Sequence, residues 1–127
     1  MSLRILIADD DRLMRTLVAM CLQDIAEIRQ AGDGAEALSE LKKADLDLLL
    51  LDWDMPPPDG LAVLKIVRSQ GHRMPIIMVT AEASKQRVLE AIQAGASDYL
   101  IKPFEPAALR EKVTKYCKPI AAEPVFI

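Results

Sequence analysis

The sequence predicts a single α/β domain built on a parallel β-sheet with helices on both faces. Three observations predict it. Strand-like and helix-like segments alternate five times along the 127 residues, and connections of that kind make successive strands parallel. The strand-like segments are short apolar runs without polar alternation, as burial on both faces requires. The central run, Leu48-Leu49-Leu50-Leu51, leads straight into Asp52 and then into the loop formers Pro56-Pro57-Pro58-Asp59-Gly60. Asp52 is thereby placed on the carboxyl edge of the sheet, where open α/β sheets bind ligands.

Composition bounds the function. The chain is 51% apolar and 28% charged, ordinary values for a water-soluble globular domain with its own core. The net charge of −3 comes without a basic block, which argues against direct nucleic-acid binding, because phosphate contacts need clustered Lys and Arg. No apolar run approaches a membrane span, and residues 5–8 are too short for a signal peptide. Cys21 and Cys117 lie far apart on expected helices. They read as small core or boundary residues in a reducing compartment, so a cytoplasmic location is expected.

Taken in order, residues 4–8 form the first strand and end in Asp9-Asp10-Asp11. The acidic residues suit the positive end of the following helix. That helix carries two apolar stripes, Leu13, Leu17 and Cys21, with Met14, Val18 and Leu22 beside them. A weak second strand is expected over residues 27–30. Asp33 caps the second helix, Glu36 completes a capping box, and Ala37, Leu38 and Leu41 point inward. The third strand spans 46–51. Leu61, Leu64 and Val67 mark the third helix, which stops before Gly71. Residues 76–80 form the fourth strand. Ser84 caps the fourth helix, with Val88, Ala91 and Ile92 inward and Gly95 as its stop. Residues 98–101 form the fifth strand. Glu105-Pro106 opens the last helix, where proline's missing N–H costs nothing, and Leu109, Val113 and Tyr116 form its inner stripe. The domain is expected over 1–117, with 118–127 a tail or the start of a linker.

In a parallel sheet all strand ends that precede helices share one edge. Asp9 and Asp10 end the first strand, Asp52 the third and Thr80 the fourth, while Lys102 follows the fifth. Carboxylates brought that close repel one another and need a cation. Oxygen ligands of this kind suit Mg²⁺, which commonly shares its shell with a phosphate. A lysine and a threonine hydroxyl beside it are the groups that hold phosphoryl oxygens. The arrangement points to phosphoryl transfer with Asp52 as acceptor. The plain alternative is a set of solvated acidic helix caps, and Asp11 is read that way.

These residues carry a resemblance. Asp9-Asp10, Asp52-Trp53-Asp54-Met55-Pro56 with Asp59-Gly60, Val79-Thr80-Ala81-Glu82-Ala83, Ala94-Gly95-Ala96, Tyr99 and Lys102-Pro103-Phe104, in that order on alternating elements, resemble the receiver domains of response regulators. The resemblance to the stand-alone chemotaxis members is close. The resemblance, and not the spacing, implies a flavodoxin-like doubly wound sheet of order 2-1-3-4-5. It implies that Asp52 accepts a phosphoryl group from a sensor histidine kinase or a histidine phosphotransfer protein. It implies Mg²⁺ held by Asp10 and Asp52, by Asp9 largely through water, and by the Asp54 backbone carbonyl. Lys102 would pair with phosphoryl oxygens, and Thr80 would swing toward them. Tyr99 would turn inward, remodelling the face made by the fourth helix, fifth strand and fifth helix for an output protein or output domain. A cis peptide before Pro103 is also implied. A monomer is expected, with a phosphorylation-dependent dimer as the alternative, and no membrane partner.

Asp54 departs from the chemotaxis pattern, which has Asn there, and adds a carboxylate near the acceptor. Two other readings compete. The chain could be the receiver of a longer regulator with an output domain. Asp52-Trp53-Asp54 also resembles the nucleophile motif of haloacid-dehalogenase-type phosphatases, but those need a downstream acidic pair, and here the pair lies upstream. His72 reads as a surface loop residue, Trp53 as a partly buried non-catalytic neighbour of Asp52, and Glu82 as solvent-facing at the site mouth.

Overall fold

The computed structural model describes residues 3–117. The elements are β1 (Leu3–Ala8), α1 (Arg12–Leu22), β2 (Ala26–Ala31), α2 (Gly34–Lys43), β3 (Leu48–Asp52), α3 (Gly60–Ser69), β4 (Ile76–Thr80), α4 (Lys85–Ala94), β5 (Asp98–Ile101) and α5 (Pro106–Tyr116). The strands form one parallel sheet in the order β2-β1-β3-β4-β5. The expected tail over 118–127 lies outside the described residues.

Side chains alternate across the sheet, so each strand feeds two cores. Leu48, Leu50, Ile5, Ile7, Ile77, Val79 and Leu100 pack under α1 and α5, against Val18, Leu22, Leu109 and Val113. Leu49, Leu51, Leu6, Ala8, Ile76 and Met78 pack under α2, α3 and α4, against Ala37, Leu41, Val63, Leu64, Val67 and Ala91. The same alternation carries on into the residues at the strand ends and decides which of them meet.

Helix starts follow the expected chemistry. The Asp33 carboxylate accepts from the Glu36 N–H at 2.8 Å, that of Asp59 from Ala62, and the Ser84 hydroxyl from Arg87. Asp11 caps α1 by accepting from Leu13 and Met14, which makes it structural, as read. Gly95 ends α4 at φ +107°, a left-handed conformation natural to glycine. Gly60 serves a close approach, since a Cβ there would lie 2.2 Å from the Asp52 carbonyl oxygen. Only glycine lets the loop after β3 fold back under the site. The Lys102–Pro103 peptide is cis, as the resemblance implied, and so is Pro57–Pro58.

Four expectations need correction. Of the two stripes on α1, only Met14, Val18 and Leu22 with Cys21 face the sheet; Leu13 and Leu17 are exposed, at 66% and 47%. Ile92 on α4 also points outward, at 57% exposed. A helix on the outside of a sheet buries one face, and here the stripe that is taken is the one packed into the core shared with the sheet and α5. Trp53 is buried more fully than expected, at 5%, because it shares the parity of Leu49 and Leu51 and enters the core under α3. Strand ends differ from the expected ones by one or two residues at β1, β2 and β3.

Candidate functional site

Alternation sorts the carboxyl edge into two sides. Asp9 follows the parity of Ile5 and Ile7, Asp52 that of Leu48 and Leu50, and Lys102 that of Leu100. These three lie on the α1/α5 side. Thr80 follows Ile76 and Met78, and Tyr99 packs against the opposite core, so both belong to the α4 side.

On the first side the acid is buried. Asp9 and Asp52 are 1% and 3% exposed, while Asp10 is exposed. One carboxylate oxygen from each of Asp9, Asp10 and Asp52 lies within 4.8 Å of the others, a cluster able to hold a metal ion. The Lys102 ammonium donates to Asp9 Oδ2 at 2.8 Å and lies 3.4 Å from Asp52 Oδ1. Asp52 Oδ1 also accepts from the Asp54 N–H at 3.3 Å, and Asp9 Oδ1 from the Asp11 N–H at 2.9 Å. Burial first, and then the Asp9 charge, push the Asp52 carboxyl up to about 6 against the opposing pull of Lys102. Burial alone would lower the Lys102 ammonium. The Asp9 hydrogen bond and the Asp52 and Asp9 charges outweigh it and hold the ammonium above the ordinary lysine range. Net negative charge in a desolvated pocket is the electrostatic condition under which a divalent cation fits.

On the second side Thr80 faces away from Asp52. Its hydroxyl donates to Asp54 Oδ2 at 3.0 Å and accepts from the Glu82 N–H at 3.2 Å. Arg87, in the first turn of α4, donates from one nitrogen to Asp54 Oδ1 at 2.9 Å and to Thr80 Oγ1 at 3.2 Å. Its guanidinium also pairs with Glu82 and lies 4.4 Å from the Trp53 ring centroid. The Tyr99 hydroxyl donates to the Glu82 carbonyl at 2.7 Å.

The sequence-derived site is thus assembled for Asp9, Asp10, Asp52 and Lys102. Thr80 and Tyr99 stand one layer away. Asp54 is in the site's rim, with its side chain turned toward α4. Glu82 is solvent-facing at 59%, as read, yet ion-paired. His72 lies in the loop before β4, at the opposite edge of the sheet. Sequence reasoning missed Arg87. The available signal was its position: a cation in the first turn of a helix opposes the helix dipole and calls for a carboxylate partner.

Comparison with known proteins follows the same lines. The family model for the response regulator receiver domain matches residues 5–114. The chain belongs to the response regulator receiver family. Chemotaxis protein CheY-3 of Vibrio cholerae is 41% identical over 118 residues, covering 90% of this chain and 91% of that protein. Chemotaxis protein CheY of Pseudomonas aeruginosa is 38% identical over 117 residues, covering 89% and 94%. The crystal structure of V. cholerae chemotaxis protein CheY4 at pH 4.0 superposes with a TM-score of 0.88 at 34% identity, covering 92% of this chain and all of that one. The protein is therefore a CheY-like phospho-accepting signalling module of two-component type and belongs to no classical enzyme family. The receiver match over nearly the whole described chain sets the phosphatase reading aside. Among the described residues no helix is long and apolar enough to cross a membrane.

Proposed function

We propose that Asp52 is the phospho-acceptor of this receiver, taking its phosphoryl group from a phosphohistidine on a sensor kinase or a phosphotransfer protein. The observation that supports this most is the pairing of the buried Asp52 carboxylate with Lys102 at 3.4 Å, beside Asp9 and Asp10. A carboxyl held near 6 is ionised at neutral pH and more basic than an ordinary aspartate, which favours nucleophilic attack. With Oδ1 engaged by Lys102 and the Asp54 N–H, Oδ2 is the attacking oxygen. It forms the new O–P bond as the P–N bond of the donor breaks, and the imidazole leaves with the electron pair. Lys102 neutralises charge on the transferred oxygens.

Mg²⁺ fits the donor set: Asp10 and Asp52 would hold it directly, Asp9 largely through water, and the Asp54 carbonyl would complete the protein ligands. When bound, it would supply positive charge to the phosphoryl oxygens. Turning of Thr80 and Tyr99 would then alter the α4-β5-α5 face for an output partner. Exposed Leu89 and Ile92 on α4, at 47% and 57%, give that face apolar surface to offer. The expected cytoplasmic location and monomeric state go with this reading, as does a phosphorylation-dependent dimer should the face pair with itself.

The test is direct. Acetyl phosphate with Mg²⁺ should give one phosphoryl adduct by intact mass and change Trp53 emission. Asp52→Asn should abolish both. An adduct retained in Asp52→Asn would overturn the assignment.

A further inference from the structure

We infer that Arg87 is a positioning residue that, together with Asp54, latches the Thr80 hydroxyl away from Asp52 and couples that latch to the first turn of α4. The inference rests on the phospho-acceptor reading of Asp52 and deepens it.

The hydroxyl of Thr80 has one proton and two lone pairs. The proton is given to Asp54 Oδ2 at 3.0 Å, and the lone pairs receive Arg87 and the Glu82 N–H, each at 3.2 Å. Thr80 is fully satisfied where it stands. To donate to an oxygen on Asp52 it must give up Asp54 and Arg87 together. Arg87 in turn binds Asp54 Oδ1 and Glu82 and covers Trp53, so it braces the acceptor as well as the hydroxyl. The arginine belongs to the turn capped by Ser84, and opening the latch frees that turn from the β3 loop. The helix dipole gives no reason for a cation at this position; the two carboxylates do. A residue that breaks a local rule in order to meet a specific partner marks a functional constraint.

The thermodynamic consequence follows from population shift. A ligand that binds the open state has its affinity reduced by the fraction of molecules that are open. Contacts made only in the latched state lower that fraction. Removing Arg87 should therefore tighten binding of a phosphoryl mimic without altering Asp52, Lys102 or the carboxylates of Asp9 and Asp10, and it meets Asp54 only at the side chain, away from the backbone carbonyl.

Beryllofluoride with Mg²⁺ is the probe. It is titrated against the full chain with fluorotyrosine at Tyr99 as the reporter, in a Tyr116→Phe background. Arg87→Met keeps an apolar side chain at this position while removing the guanidinium that lies over Trp53, and should bind about three- to tenfold tighter, the scale of one partly exposed charge-assisted hydrogen bond. Arg87→Lys, a point charge without the planar fork, should fall between the two. Asp54→Ala retains the backbone carbonyl and should also tighten binding, and the double variant should be no tighter than the tighter single one. Unchanged or weaker affinity in Arg87→Met, or additive tightening in the double variant, overturns the latch. Should Arg87→Met fail to fold, the Lys variant and Asp54→Ala decide by the same criteria. A parent protein without a beryllofluoride response, or a response that survives Asp52→Asn, refutes the acceptor reading itself and the latch with it.

Discussion

Asp52 and Asp54 are two residues apart in the chain and are neutralised in opposite ways. Asp52 is buried on the α1/α5 side and, with Asp9, shares a single ammonium whose own side chain is 19% exposed. Asp54 stands 50% exposed on the α4 side against a guanidinium. The first arrangement withholds water from two charges and leaves Asp52 short of compensation, so its carboxyl rises to about 6. The second leaves both partners partly hydrated, where an ion pair is worth little and opens easily. The buried side suits the proposed phosphoryl transfer, which needs fixed and strong charges. The half-exposed side is built for change, which needs contacts that can be exchanged at low cost. Thr80, at the end of the neighbouring strand β4, is among the described residues the only buried hydroxyl at this edge.

The largest way to break this comparison is at Lys102. Lys102→Met leaves the buried Asp9 and Asp52 charges without their cation, and should cost about 3 kcal/mol of stability at neutral pH, read by urea unfolding in EDTA. A loss as small as that of a surface pair would mean the pocket is wetter than its burial implies.

Next is the pH dependence of Asp52. Its folded value, about 6, lies above the ordinary 3.8, so between those values the folded state holds a proton that the unfolded state has released. The stability contributed by this group is complete below about pH 4 and is lost as pH rises through about 6. Asp52→Asn should therefore be more stable than the parent by up to about 2–3 kcal/mol at pH 7–8 in EDTA, and equal to it near pH 3. A constant difference across that range would remove the electrostatic account. Mg²⁺ should narrow the gap at pH 7–8.

The α4 side should respond far less. Arg87→Met and Asp54→Asn should each change unfolding free energy by less than about 1 kcal/mol, even where mimic affinity moves. The smallest effect is ionic: raising salt to about 1 M should shift mimic affinity in the parent more than in Arg87→Met, because exposed pairs are screened and buried ones are not. Equal salt slopes would place Arg87 outside the coupling.

The sequence by itself determined the order of elements, the strand positions to within one or two residues and the roster of groups at the carboxyl edge. Apolar runs without alternation, proline loops and cap residues act locally, and local rules are readable from local residues. Asp33, Asp59, Ser84 and Gly95 do what their neighbours in the chain require. Asp9, Asp10, Asp52 and Lys102 were legible for a related reason: a parallel sheet sends every such strand end to one edge. Tertiary structure alone decided which of two apolar stripes α1 buries, that Ile92 turns outward, and that Trp53 enters the core. It alone decided that Thr80 meets Asp54 instead of Asp52. Those outcomes depend on the phase of one element against another, and a side-chain period of two or 3.6 gives the spacing of a pattern without saying which neighbour it will face. Arg87 is the clearest case. It lies 33 residues from Asp54 in the chain, and nothing in either local sequence names the other. Only the packing of α4 beside the β3 loop brings the cation to the carboxylate and sets both beside the hydroxyl of Thr80.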